Sequence, residues 1–164
     1  MVDVRGGMTL WTDRSYTVTA WVRLTDANRD GRPDGPGDQV IASQDGREQA
    51  TFYLQYETDS GRWAYKVPTS DSGATNWPTV ESMSPAAVNR WTHVAAVGNA
   101  GWGHFQLYVD GVLQGTGAAT TSPPSTGGFH LGVSMRGGWL VGALDDVRVR
   151  QRALQPAEIA ELSS

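Results

Sequence analysis

Residues 16–24 read Tyr-Thr-Val-Thr-Ala-Trp-Val-Arg-Leu. Apolar side chains occupy every second position of this stretch, whereas threonines, Trp21 and Arg23 occupy the positions between them. A period of two is typical of a β-strand that buries one face. The stretch therefore predicts a strand over 16–24, with Tyr16, Val18, Ala20, Val22 and Leu24 facing a core.

Similar short segments follow along the chain and are separated by turn signals. Strands are predicted over 39–43, 51–56, 62–67, 91–97, 104–109, 112–113, 129–133 and 140–149. Asp110-Gly111 between apolar residues is a strong hairpin signal. Residues 68–76 and 116–127 are predicted loops, and only 156–162 is typical of a helix, with Pro156 at its first position. The sequence predicts an all-β fold, an antiparallel two-sheet β-sandwich with one short C-terminal helix.

Composition limits the function. The 164 residues fit one domain, 1–164, and 39% hydrophobic with 18% charged residues indicates a globular chain. The net charge is −4 without a basic stripe, so nucleic acid is not an expected partner. No apolar run approaches the ~18 residues of a membrane span, so no membrane partner is expected either. The chain has no cysteine, which excludes disulfides and thiolate metal sites.

Three motifs together resemble a known family. They are 15–23 (Ser-Tyr-Thr-Val-Thr-Ala-Trp-Val-Arg), 90–95 with 106–113 (Arg-Trp-Thr-His-Val-Ala and Gln-Leu-Tyr-Val-Asp-Gly-Val-Leu), and 142–149 with 152–159 (Gly-Ala-Leu-Asp-Asp-Val-Arg-Val and Arg-Ala-Leu-Gln-Pro-Ala-Glu-Ile). In this order they resemble the LamG-like jelly-roll domains of bacterial exported proteins. These domains are relatives of laminin G and pentraxin domains in the concanavalin A-like superfamily. The resemblance covers about residues 12–162.

The resemblance implies two curved antiparallel sheets packed face to face, and no single activity. Such domains usually form part of larger proteins, in which they bind carbohydrate or protein or support a neighbouring enzyme. We therefore expect a secreted or cell-surface setting, a glycan or protein ligand, and adjacent domains of a parent polypeptide. Family members carry a further upstream strand, which only residues 1–11 could supply here. Residues 1–5 show no signal-peptide pattern, so the protein is either cytosolic or a piece excised from a larger exported chain. The departure from the family pattern at the start of the chain favours an excised module.

An acidic loop is the best candidate for chemistry. Residues 26–38 read Asp-Ala-Asn-Arg-Asp-Gly-Arg-Pro-Asp-Gly-Pro-Gly-Asp. This is the D-x-N-x-D-G spacing with which a loop surrounds a hard cation with oxygen ligands. The predicted ligands of Ca²⁺ are the side chains of Asp26, Asn28, Asp30, Asp34 and Asp38 with the carbonyl of Arg32. Here the ion would order the loop and take no part in catalysis.

The match to a calcium loop is partial. A helix-flanked calcium loop ends with a bidentate Glu at its twelfth position, which here is Gly37, and the flanking elements are strands. The alternative is a solvated turn, because Asp, Gly and Pro favour turns. Mg²⁺ is disfavoured, since it keeps waters and a strict octahedron.

Aromatic residues in loops are the second candidate site. Trp77, Trp102 and Trp139 stand beside Pro or Gly, and the sequence predicts them as ligand-binding residues. Aromatic faces stack on sugars, and loops on a rigid scaffold carry function. The alternative is that each anchors its own loop.

Catalytic patterns are weak, so we expect no enzymatic activity. Asp145 and Asp146 are adjacent and would point to opposite faces of a regular strand, which does not suit the ~5–9.5 Å carboxylate pair of a glycosidase. The sequence contains no E-x-D-x-E segment like that of related glucanases. Single histidines and the absence of G-x-S-x-G disfavour zinc and the common serine-hydrolase elbow. A glycoside hydrolase and a purely structural spacer remain the alternatives.

Overall fold

The strand predicted over 16–24 forms the centre of the fold. In the computed structural model, which describes residues 2–3, 9–72, 76–118, 122–125 and 127–164, it spans Tyr16–Leu24. In chain order the strands are β1 (Val2–Asp3), β2 (Tyr16–Leu24), β3 (Gln39–Asp45), β4 (Ala50–Glu57), β5 (Arg62–Lys66), β6 (Thr79–Pro85), β7 (Thr92–Asn99), β8 (His104–Val109), β9 (Val112–Ala118), β10 (Phe129–Leu131) and β11 (Gly142–Arg150). The helix α1 spans Pro156–Leu162, as predicted.

The strands form two antiparallel sheets. The six-stranded sheet has the order β1-β10-β3-β4-β5-β6, and the five-stranded sheet has the order β11-β2-β7-β8-β9. The predicted all-β sandwich is therefore confirmed. β1 pairs with β10, so residues 1–11 do supply an upstream strand. Residues 1, 4–8, 73–75, 119–121 and 126, which include parts of predicted loops, lie outside the described residues.

The core lies between the inner faces of the sheets. Alternate residues of β2 and of β4 point inward, which is why the period of two predicted them correctly. Aromatic rings fill the centre, where Tyr65 donates a hydrogen bond to the Tyr16 hydroxyl at 2.7 Å. Burial raises the pKa of both phenols. The largest fully buried side chains include Trp63, Tyr16, Tyr65, Phe52 and Phe105.

Two elements differ from the prediction. β6 was not predicted, and β9 continues to Ala118 into a segment predicted as loop. Both are edge strands whose side chains are largely exposed, so their apolar pattern is weak. The predicted Asp110-Gly111 hairpin is confirmed: both residues have positive φ, 47° and 78°, as a type I′ turn requires. The one described helix is too short to span a membrane.

Candidate functional site

The outer face of the six-stranded sheet carries a recess of about 330 Å³. We call it the outer-face recess. Phe52, Leu54 and Tyr56 of β4 pack in the core between the sheets. The side chains between them, Tyr53 and Gln55, therefore point to the outer face. Lys66 of β5 lies opposite Tyr53 in the register. The recess is lined by Asp38, Tyr53, Gln55, Lys66, Trp77 and Arg136, among others.

An aromatic pair forms part of the recess wall. The rings of Trp77 and Tyr53 lie 5.3 Å apart between centroids at an angle of 47°. Both residues are half-buried, so they keep exposed ring surface. An aromatic ring fixed in this way offers an apolar face with little entropy left to lose on binding a ligand.

Polar side chains beside this pair form hydrogen bonds and an ion pair with one another. Gln55 donates its amide to a carboxylate oxygen of Asp38 at 3.3 Å and also to Glu57. The other oxygen of Asp38 accepts the backbone N–H of Thr58 at 2.9 Å. Glu57 forms an ion pair with Lys66. The recess thus combines an aromatic platform with ordered amide and charged groups, the usual composition of a site that binds polar organic ligands.

The acidic loop follows β2 and is closed by its own side chains. Asp26 is buried and accepts the backbone N–H groups of Asp30 at 3.2 Å and of Gly31 at 2.9 Å. Asn28 accepts the N–H of Asp30 at 3.1 Å, and Asp30 accepts that of Arg32 at 2.9 Å. Positive φ at Arg29 and Gly31 permits this tight path. Asp26 therefore turns into the loop, whereas Asn28 and Asp30 are exposed and close single turns of the backbone.

The two remaining side chains of the predicted ligand set have different partners. Asp34 accepts the N–H of Ala27 at 2.9 Å, so it closes the same loop. Asp38 contacts Thr58 and Gln55 and lines the outer-face recess instead. In the part of the chain that the structure describes, no three His, Cys, Asp or Glu side chains converge to hold a metal ion. The calcium assignment stays a prediction.

Asn89 anchors the base of the acidic loop. Its side chain accepts the N–H of Asp26 at 3.0 Å and donates to the carbonyl of Asp26 at 2.8 Å. The loop is thereby attached to the segment before β7.

The three predicted tryptophans do not form one cluster. Trp77 lines the outer-face recess, and Trp139, 59% exposed, follows the recess residue Gly138. Trp102 is 80% exposed in the turn between β7 and β8, in the other sheet, and contacts only His104 among the described aromatic pairs. This turn lies at the end of β2 opposite the acidic loop, because Tyr16 pairs with Gly98. Ligand binding by each tryptophan stays a prediction.

The adjacent carboxylates of β11 are engaged in local structure. The register is interrupted between Asp145 and Arg148, and Asp146 has a φ of 44°. Asp145 accepts the N–H of Asp146, and Asp146 receives two hydrogen bonds from Arg148, each of 2.8 Å. The guanidinium of Arg148 holds the pKa of Asp146 below its ordinary value. This supports the structural interpretation of the pair.

Sequence reasoning missed Tyr53, Gln55 and Arg136 as site residues. Tyr53 and Gln55 could have been found as the outward positions of the strand predicted over 51–56. Nothing local marks Arg136, because its position at the recess depends on contacts with a segment 88 residues away.

The fold and site can be compared with known proteins. A laminin G family model, of the concanavalin A-like lectin/glucanases superfamily, matches residues 2–160. No curated protein matches the sequence. The structure is similar to a native heptameric SAP-like pentraxin from Limulus polyphemus, with a TM-score of 0.69 and 18% identity over 95% of this chain and 72% of that one.

Two further similar structures are of complexes with sugars. One is the CBM40 of the Ruminococcus gnavus IT-sialidase bound to α2,3-sialyllactose, with a TM-score of 0.67 and 16% identity over 99% of this chain and 96% of that one. The other is domain 4 of AbnA, a GH43 extracellular arabinanase from Geobacillus stearothermophilus, in complex with arabinotriose. It has a TM-score of 0.61 and 19% identity over 96% of this chain and 69% of that one. At these identities the similarity establishes the fold.

Proposed function

The chain belongs to the concanavalin A-like lectin/glucanases superfamily, and from this premise we propose that it is a non-catalytic module that binds carbohydrate in the outer-face recess. The observation that carries the proposal is the packing of Trp77 on Tyr53 beside the amide of Gln55. A sugar presents C–H groups on one ring face and hydroxyl groups at its edge. Aromatic rings pack against the C–H groups, and amide or charged groups form hydrogen bonds with the hydroxyl groups. The sugar complexes among the similar folds support the same class of ligand.

A glycan array with purified variants tests the proposal. We expect binding by the wild type, loss of at least about tenfold in affinity for Trp77→Ala, and no change for Trp102→Ala. Trp102 is the matched control, because it is a more exposed tryptophan in the other sheet. Retention of full binding by Trp77→Ala, or loss only in Trp102→Ala, would place the ligand elsewhere.

We also propose that the acidic loop binds Ca²⁺ through Asp26, Asn28, Asp30 and Asp34 with the carbonyl of Arg32. Support comes from the all-oxygen donor set, from its D-x-N-x-D-G spacing, and from the buried carboxylate of Asp26 at the start of the loop. These side chains already accept backbone N–H groups, and in Asp26 both carboxylate oxygens do so. Ion binding therefore requires the loop to rearrange so that these oxygens converge on the ion. Bound calcium would supply positive charge that neutralises the loop and orders it.

The acidic loop and the outer-face recess are connected. The loop ends at Asp38, which lines the recess. The next residue, Gln39, donates to the carbonyl of Asp34 at 2.8 Å and accepts the N–H of Val141 at 2.8 Å. Ordering the loop by calcium would therefore stabilise one rim of the sugar site.

Hydrolysis is the alternative that the recess disfavours. Two carboxylates, Asp38 and Glu57, approach the amide of Gln55. Glu57 is engaged by the ammonium of Lys66, whereas a glycosidase requires a free carboxylic acid next to the leaving oxygen. Release of reducing sugar from a glycan that the domain binds would contradict the non-catalytic assignment. A secreted or cell-surface location and neighbouring domains stay predictions.

A further inference from the structure

Arg136 stands at the outer-face recess and is held there by an uncharged partner. Its guanidinium donates from Nε at 3.2 Å and from Nη2 at 2.5 Å to one acceptor, the backbone carbonyl of Glu48. Its own backbone N–H donates to the hydroxyl of Ser134. A flexible, exposed side chain is therefore fixed without loss of its net charge.

The carbonyl that holds Arg136 is itself fixed. Glu48 lies in the turn between β3 and β4, and the carboxylate of Asp71 accepts the backbone N–H groups of Arg47, Glu48 and Gln49. Burial opposes ionisation of Asp71, but these amide donors hold the pKa of Asp71 below its ordinary value. A charged carboxylate thus anchors the turn, and the turn positions the guanidinium.

The charges around the recess are not equally compensated. Asp38 has hydrogen-bond donors on both oxygens, and Glu57 is paired with Lys66. None of the ion pairs between described residues includes Asp38 or Arg136, but both oxygens of Asp38 accept hydrogen bonds, whereas the guanidinium of Arg136 donates only to a neutral carbonyl. Among the described residues, the recess therefore presents carboxylates whose oxygens already have donors and one guanidinium without a carboxylate partner.

We infer that the ligand of the outer-face recess is an acidic sugar, and that Arg136 binds its carboxylate. This inference rests on the proposed carbohydrate-binding function. Guanidinium binds carboxylate through charge-assisted hydrogen bonds in a planar fork, which a neutral sugar hydroxyl cannot match. The sugar ring would lie on the Trp77–Tyr53 pair with its carboxylate at the Arg136 side of the recess.

Matched pairs of sugars test the inference by isothermal titration. The pairs are α2,3-sialyllactose with lactose, and trigalacturonate with its methyl ester. We expect the acidic member of at least one pair to bind about tenfold tighter or more, and the difference to shrink as salt is raised. Arg136→Gln should abolish this preference, and Arg136→Lys should retain only part of it.

The control variant is Arg150→Gln. Arg150 is an exposed arginine of β11 in the other sheet, so its removal changes the net charge equally without touching the recess. It should leave the preference intact. Thermal unfolding of each variant ensures that folded protein is compared.

The outcomes separate the inference from the function on which it rests. Glycan binding that Trp77→Ala abolishes, but that shows no preference for the carboxylate or keeps it in Arg136→Gln, overturns the inference alone. A wild type that binds no carbohydrate on the array and no member of either pair overturns the proposed function and the inference together.

Discussion

At the scale of single residues, two adjacent glycines shape the rim of the outer-face recess. Gly137 and Gly138 have φ values of 100° and 76°, a region that side chains rarely adopt. A Cβ on Gly138 would lie 2.8 Å from Cγ2 of Val40, whereas a Cβ on Gly137 would meet nothing within 4 Å. The carbonyl of Gly138 also accepts the N–H of Val40, so the backbone of Gly138 lies directly against β3.

Alanine substitutions at these two glycines distinguish the stability cost of backbone strain from that of steric overlap. Gly137→Ala should cost about 1 kcal/mol through its positive φ alone. Gly138→Ala should cost about 1–3 kcal/mol more, because the new methyl group must displace Val40. Urea unfolding of both variants measures the difference, and equal losses would contradict the close packing of Gly138 on β3.

His93 is a buried base in the five-stranded sheet. Its side chain lies edge-on to Trp21, and its Nδ1 is buried without a hydrogen-bond partner among the described residues. Burial lowers the pKa of His93 from its ordinary value of 6.5, although Asp110 and Asp146 oppose this effect. The folded state therefore binds the proton less readily than the unfolded state does.

This lowered pKa predicts a pH-dependent loss of stability. Above pH 6.5 the imidazole is neutral in both states, and the contribution of His93 to the free energy of unfolding is fully present. As the pH falls from 6.5 towards the folded pKa, the unfolded state takes up the proton first and stability declines. Urea unfolding at pH 7.5 and 5.5 should show a smaller decline for His93→Gln than for the wild type. An identical decline in both proteins would exclude His93 as its source.

At the scale of elements, the helix α1 covers the outer face of the five-stranded sheet. Ile159 is fully buried and, with Leu154, packs in a cluster with Ala95, Val97 and Tyr108. The N-terminus carries a capping box between Gln155 and Glu158. The guanidinium of Arg152 and the backbone N–H of Gln155 lower the pKa of Glu158 to about 2. Packing and capping together fix a helix of only seven residues.

Truncation of Ile159, which packs the helix on the sheet, should lower the free energy of unfolding. Ile159→Ala is expected to destabilise the domain by about 2–5 kcal/mol, because it removes buried methyl groups and leaves a cavity. Glu161→Ala, two residues along the helix on its exposed side, should change stability by less than about 0.5 kcal/mol. Chemical unfolding of both variants provides the measurement. A small effect of Ile159→Ala would mean that the helix does not contribute to the folded core.

Sequence predicted elements well where local pattern determines them. The bounds of β2 and α1 were correct because alternation and a helix start signal lie within each segment. β6 escaped prediction because, at the edge of its sheet, it buries only Val80 and Ser82. The recess could not be predicted as a whole, since Tyr53, Trp77 and Arg136 meet only after the strands pair.

At the scale of the whole molecule, the acidic loop should couple stability to calcium. Binding at 100 times the dissociation constant adds about 2.7 kcal/mol, which corresponds to a rise of about 5–10 °C in melting temperature for a domain of this size. Calorimetry with and without CaCl₂ should show this rise for the wild type and for Glu161→Gln, an exposed control, but a much smaller rise for Asp26→Asn. The absence of a rise, or an equal rise in Asp26→Asn, would contradict calcium binding by the loop.

A sandwich that binds sugar on the outer face of its six-stranded sheet should contact the ligand at Trp77 and not at Trp102. Titration of the ¹⁵N-labelled domain with a glycan that it binds tests this most directly, because the indole N–H signals of Trp77 and Trp102 report on two separate places. We expect a concentration-dependent shift of the Trp77 signal and a constant Trp102 signal. A shift of Trp102 with no change at Trp77 would contradict it.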